Sequence, residues 1–219
     1  MLKNILLFLF ACGIGMGAYL LSVRTSQNTK SQTAQLPKSS LVETMSYAIK
    51  DPPKDALIAK MSMLEGDVRV EARDATEPAR LAKPRPLVQG ERIVTAHKSS
   101  VLITFINDTK ILCKENTDIA LAQTLPTSIV LVQNKGTVDY SQNTDSVPLS
   151  IRVRNLLVRL QFGSITISLE DSDPLIQVVV NSGSVKIAYN DYGFVSQVNT
   201  LSKGEEMIFD SDARSATIE

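Results

Sequence analysis

From residue 60 onward, apolar and polar residues alternate with a period of two. Met61/Met63, Val68/Val70, Val101/Ile103/Phe105, Ile119/Leu121 and Ile151/Val153 each put alternate side chains on one side of an extended chain. Val158/Leu160/Phe162, Ile165/Ile167/Leu169, Ile176/Val178/Val180 and Val185/Ile187/Tyr189 do the same. Five glycines open the pattern Gly-x-Val/Ile, at Gly66, Gly136, Gly163, Gly183 and Gly193. A β-branched residue two places after a glycine suits a chain that turns sharply and then enters a pleated, half-buried surface, so this spacing predicts short strands restarted by glycine turns. Gly66, Gly90, Gly136, Gly163, Gly183 and Gly204 are the expected structural turns. Pro78, Pro84, Pro86, Pro126, Pro148 and Pro174 fall between the runs, where no ladder hydrogen bond is lost. Strands at this density leave no room for crossover helices. The expected fold is all-β, a β-solenoid-like or β-sandwich domain of short antiparallel strands over residues 60–219.

The N-terminal pattern is different. Ile5 to Val23 holds no charged residue and lies between Lys3 and Arg24. Nineteen helical residues reach about 28 Å, close to the hydrocarbon thickness of a bilayer. Residues 1–24 therefore read as a transmembrane anchor or a signal segment. A small-x-small site at Gly15-Met16-Gly17 supports cleavage, whereas Tyr19, Leu20 and Leu21 prolong the apolar run past that site and support an uncleaved anchor. Cys12 invites a lipoprotein reading, which bulky Phe10 and the apolar residues after the cysteine oppose. Gly13 and Gly17 have the Gly-x-x-x-Gly spacing that lets membrane helices approach closely, and glycine is also common in such helices without dimerisation. Residues 25–59 read as a linker, rich in Ser, Thr, Gln and Lys up to Ser40. Within it a capping box at Ser40 to Glu43 starts a short amphipathic helix, Leu41 to Lys50, ended by Asp51-Pro52-Pro53. With few residues before the helix and nearly two hundred after it, the bulk of the chain is expected outside the cytoplasm.

Composition narrows the function classes. Lys+Arg and Asp+Glu each total 23, so the formal net charge is zero and no global field gathers nucleic acid. Cys12 and Cys113 are too far apart in sequence and setting for a disulfide framework. His97, the one histidine, lies in a loop-like stretch without clustered ligands. A triad with Ser99 or Ser100 and Asp108 exists by residue type alone, so a hydrolytic enzyme using His97 is the competing class and an ordinary exposed histidine the plainer one. Cys113 shares a strand face with Ile111 and reads as core. No P-loop or Rossmann pattern occurs and no cofactor or metal is expected. Arg152 and Arg154, with Arg159 beyond, read as two guanidinium groups on one strand face. Such a pair grips carboxylates or phosphates of a cell-wall polymer, an anionic lipid or an acidic protein loop, or else forms a solvated outer face.

An ordered series of segments resembles the FecR domain family. It runs through Gly66-Asp67-Val68, Val88-Gln89-Gly90-Glu91-Arg92-Ile93-Val94-Thr95, Ser99-Ser100-Val101-Leu102-Ile103-Thr104-Phe105 and Lys135-Gly136-Thr137-Val138. It continues through Leu160-Gln161-Phe162-Gly163-Ser164-Ile165 and Ser182-Gly183-Ser184-Val185 to Leu201-Ser202-Lys203-Gly204-Glu205. Where the family usually carries Asp-Gly-Ser this chain has Asn107-Asp108-Thr109, residues that also suit tight turns. The resemblance implies a noncatalytic, extracytoplasmic β module that binds envelope or membrane proteins. Signalling members carry a sigma-factor-binding segment before the membrane helix. Only Met1 to Asn4 precede Ile5, so that route to a cytoplasmic sigma factor is not expected here. The expectation is a single-pass protein of the bacterial inner membrane with its C-terminal domain on the periplasmic side, acting as an interaction or scaffold module. The alternative is an accessory of transmembrane signalling that senses an envelope ligand.

Overall fold

The computed structural model describes residues 52–143 and 147–219, which lie in one compact unit, Ala48–Glu219. The expected anchor over 1–24, Cys12, the Gly13/Gly17 pair and the helix Leu41 to Lys50 lie outside the described residues. Among the described residues no helix is long and apolar enough to cross a membrane.

The described residues form one continuous, mixed, 15-stranded sheet. Its strands are β1 (Ala59–Glu65), β2 (Val68–Glu71), β3 (Ala79–Arg80), β4 (Pro86–Leu87), β5 (Arg92–Thr95), β6 (Ser100–Thr104), β7 (Thr109–Cys113) and β8 (Asp118–Leu125). They continue as β9 (Ser128–Gln142), β10 (Leu149–Val153), β11 (Leu156–Leu169), β12 (Leu175–Asn190), β13 (Ser196–Ser202), β14 (Glu206–Asp210) and β15 (Ser215–Ile218).

Three strands are long, with 15, 14 and 16 residues in β9, β11 and β12. Each changes at least one neighbour between its two halves, with β11 and β12 staying paired throughout, and this divides the sheet into two layers. One layer runs β4, β1, β6, β7, residues 136–142 of β9, 163–169 of β11, 175–180 of β12, β14 and β15. The other runs β3, β2, β5, β8, residues 128–135 of β9, β10, 156–160 of β11, 184–190 of β12 and β13. Both layers feed one core, with Ile111, Val138 and Ile165 from the first and Ile119, Leu131 and Val158 from the second. Buried Gln133 ties the layers together. Its Nε2 donates to the Ile167 carbonyl at 3.1 Å, and its Oε1 accepts from the Tyr140 hydroxyl at 3.0 Å.

The glycines expected as turns between strands divide into two groups. Gly66, Gly90 and Gly204 occupy turns at positive φ. Gly136, Gly163 and Gly183, also at positive φ, lie inside β9, β11 and β12, where they bend a strand from one layer into the other. The buried side switches parity at each bend. It passes from Ile129, Leu131 and Gln133 to Val138 and Tyr140 in β9, from Val158 and Leu160 to Ile165 and Ile167 in β11, and from Ile176 and Val178 to Val185 and Ile187 in β12. One inserted residue of this kind is what a bulged corner needs. The alternation read at Val158/Leu160/Phe162 stops for this reason, and Phe162 is 52% exposed at the corner.

The expectation of short antiparallel strands is corrected in one further respect. β9 runs through both layers and the chain then returns as β10 parallel to its first half, a single solenoid-like turn. The other pairings among the described residues are antiparallel, as in a layered sandwich. This winding brings the Arg154-Asn155 turn and the segments 170–174, 191–195 and 211–214 to one end. Hydrogen bonds between those segments hold them together.

Candidate interaction surface

The outward face of β10 to β13 can be built from register. Arg152 stands opposite Leu157, Leu157 opposite Ala188 and Ala188 opposite Val198. The next row is Ser150, Arg159, Lys186 and Thr200. Arg152, Arg159 and Lys186 are exposed and have no hydrogen-bond or ion-pair partner among the described residues. No Asp or Glu occurs in β10, in β11 up to Phe162, in β12 from Ser184, or in β13. On a chain of zero net charge this is a local cationic field with apolar ground between the charges.

At the end of this face the loop between β12 and β13 projects aromatic side chains. Asp191 organises it: its carbonyl accepts from the Phe194 amide at 3.0 Å, Oδ1 accepts from the Val195 amide at 2.9 Å, and Oδ2 accepts from Gln197 Nε2 at 3.0 Å. The Gln197 and Val195 hydrogen bonds hold the Asp191 carboxyl below its ordinary pKa. Phe194 adopts a φ of 59°, uncommon for a bulky side chain, and is 77% exposed. The Arg214 guanidinium lies 5.5 Å from the Phe194 ring centroid and 5.8 Å from that of Tyr192, so its charge is held over both rings. A cleft of about 460 Å³ opens beside them, lined by Arg152, Arg154, Leu157, Asn190, Phe194 and Arg214 among others. Five of the ten large hydrophobic side chains left exposed among the described residues, Leu157, Tyr192, Phe194, Val195 and Val198, gather here, and such clustering marks contact surfaces better than scattered exposure does.

The expected pairing of Arg152 with Arg154 on one strand face does not form. β10 ends at Val153, and Arg154 sits in the following turn at a φ of 50°. Its guanidinium donates to the carbonyls of Asp173 and Glu170, each at 2.8 Å, and to Ser211 Oγ at 3.0 Å. Arg154 thus joins three turns. The cation that shares the outer face with Arg152 and Arg159 is Lys186, which comes from a strand distant in sequence.

The residues of the hydrolase alternative are engaged separately. His97 Nδ1 lies 2.7 Å from Glu115 Oε2, with both side chains exposed. Ser99 Oγ donates to the His97 carbonyl and accepts from the Asp67 amide, Ser100 Oγ reaches Glu65, and Asp108 accepts from Asn143 at 2.6 Å. Asp108 has a φ of 62° in the tight turn between β6 and β7. Cys113 is fully buried, and burial pushes its thiol up to about 12, far from a thiolate at neutral pH. Lys114 pairs instead with Asp139 at 3.1 Å, on the opposite strand face. A second cleft, about 500 Å³, is lined by Glu115, Lys135, Glu170 and Asp171, but Lys135 is tied to Asp171 at 3.1 Å. No cluster of three His, Cys, Asp or Glu side chains suited to a metal exists among the described residues.

Sequence reading missed the aromatic loop. Gly193-Phe194-Val195 has the form that opens a strand, and it is the projecting tip instead, with β13 beginning only at Ser196. The legible signal was Asp191-Tyr192-Gly193, a turn composition with an aromatic inside it.

No protein-family model matches the chain, and no curated protein matches it. Solved structures do, among them two crystal structures each described as a "putative anti-sigma factor" from Parabacteroides distasonis ATCC 8503. They align with TM-scores of 0.51 and identities of 17% and 16%. Each alignment covers 58% of this chain and 58% of the matched one, so less than two thirds of those proteins is represented. The chain shares its fold with these proteins over that part.

Proposed function

We propose that this chain is a noncatalytic FecR-type β module, anchored in the bacterial inner membrane by its N-terminal segment, that binds other envelope proteins on its periplasmic side. The observation that carries this reading is the acid-free outer face of β10 to β13, with Arg152, Arg159 and Lys186 unpaired among the described residues beside Leu157, Val198 and the Phe194 loop. Interleaved guanidinium, aliphatic and aromatic groups make a contact surface for protein, because arginine and aromatic side chains contribute most where water is excluded. The shared fold with proteins described as anti-sigma factors supports a narrower second reading, an accessory of transmembrane signalling.

The test is site-specific crosslinking in intact cells. A photoreactive residue at Leu157 or Phe194 of the full chain is expected to give discrete adducts with one or a few envelope proteins. The same residue at Glu77, exposed in the segment between β2 and β3, is expected to give none. Equal labelling from all three positions, or none from any, rejects the reading. The identity of the adduct separates the two readings: a structural envelope protein favours the scaffold role and a membrane signalling component favours the accessory.

A further inference from the structure

The layers have four lateral edges, and three of them end in short strands; beyond β4, residues 61–65 of β1 pair only with β6 among the described residues, across a register shift and ending on the charged Glu65. β3 and β4 have 2 residues each and β15 has 4. Short edge strands are a common protection against pairing with another chain. The fourth edge, β13, has 7 residues, Ser-Gln-Val-Asn-Thr-Leu-Ser, and pairs as a strand only with β12 among the described residues; at its end the Ser202 N–H is taken by Glu205 Oε2 at 2.6 Å, which leaves the main chain before Ser202 as the edge open to a further strand. It contains no proline, no lysine and no other charge, and its pairing with β12 runs from Ser196 to Ser202 without a bulge. None of the usual edge-blocking devices is present within it.

We propose that β13 is a strand-addition site for an extended, acidic segment of a partner protein. This rests on the binding role argued above and specifies how the partner docks. Main-chain groups along one side of β13 supply the hydrogen bonds, as in other recognition by strand addition. Charge complementarity selects the occupant. A strand added beside β13 lies two interstrand spacings, roughly 10 Å, from Lys186, within reach of long acidic side chains on the same outer face. Arg159, opposite Lys186, extends the cationic row, and Val198, 66% exposed, offers an apolar contact directly beside the added strand. A second copy of this chain would bring an equally uncharged strand and a second Lys186, so it gains nothing from that field.

The test uses the full chain in detergent and a nine-residue fluorescent peptide of alternating glutamate and valine. Binding is followed by anisotropy and amide protection by hydrogen exchange. The acidic peptide is expected to bind and to protect alternate amides of β13. Substituting lysine for its glutamates, or N-methylating alternate peptide bonds in the register that faces β13, is expected to weaken binding at least tenfold. Lys186→Glu with Arg159→Glu is expected to do the same while the amides shared by β11 and β12 keep their protection. Equal binding of both N-methylated registers, protection without alternation, or no binding overturns the proposal. Concentration-dependent self-association that protects β13 without peptide assigns the edge to a second copy and also overturns it. Crosslinks from Leu157 and Phe194 that persist after such a failure leave the broader binding role standing.

Discussion

Gly163 and Gly183 face each other across β11 and β12 at the corner where both strands change layers. A Cβ on Gly163 would lie 2.1 Å from the Ser182 carbonyl oxygen, and one on Gly183 2.4 Å from that of Phe162. The obstacle in each case is backbone, which cannot rotate aside, and both residues have positive φ besides. Gly204 shares the positive φ but has open space around the missing Cβ. Gly163→Ala is therefore expected to destabilise the domain by about 3 kcal/mol or more, against about 1 kcal/mol for Gly204→Ala. Equilibrium urea unfolding measures both, and equal losses would refute the corner argument. The sequence marked all three glycines alike as turns, because a glycine between β-rich runs is compatible with a turn between strands and with a bend inside one. The backbone approach of the neighbouring strand distinguishes them, and a single chain pattern does not contain it.

At the scale of elements, β2, β5 and β8 are joined on their polar side by Arg92. It bonds Glu71 at 2.9 Å and, through Nε, Asp118 at 2.7 Å, while Asp118 also accepts from Asn134 at 3.1 Å. Burial acts to raise the Asp118 pKa, but the Arg92 guanidinium and the Asn134 amide outweigh it, and the group falls below its ordinary value of 3.8. A carboxyl whose folded pKa is depressed contributes stability that is complete above the ordinary value and is lost as pH falls through the depressed one. Asp118→Asn is thus expected to lower stability at pH 7 and to flatten the loss of stability below about pH 4. Thermal unfolding across that range checks the slope, and an unchanged slope would place the acid sensitivity elsewhere. The alternation at Ile119/Leu121 located β8 in the sequence. It did not reveal the three-strand ion network, since Glu71, Arg92 and Asp118 come together only through sheet register.

For the whole molecule, zero net charge conceals an uneven distribution. Arg152, Arg159 and Lys186 share a face without acids, while Glu115, Glu170 and Asp171 line the second cleft. Attraction of an acidic partner then depends on a local field that salt screens, since the screening length falls from about 10 Å at 0.1 M to about 3 Å at 1 M. In isolated membranes, crosslinking from Phe194 is expected to drop several-fold over that range. The combined variant Arg152→Glu, Arg159→Glu and Lys186→Glu is expected to lose the adduct at low salt while unfolding at nearly the wild-type temperature. A salt-independent adduct would mean that the aromatic loop binds without the charged face.

Alternation and turn residues by themselves determined that the chain after residue 60 is all-β, which positions of each run face the core up to the corners, where Phe162 turns outward, and that Cys113 belongs there, because side-chain period and burial are local consequences of an extended backbone. They also marked the one long apolar run at the N-terminus. Tertiary structure alone decided that three strands pass through two layers, that Arg154 fastens turns and does not pair with Arg152, and that Lys186, Val198 and Phe194 complete a surface begun by Arg152, Leu157 and Arg159. Those outcomes depend on register between strands far apart in sequence, and the alternation within one strand carries no information about which strand lies beside it.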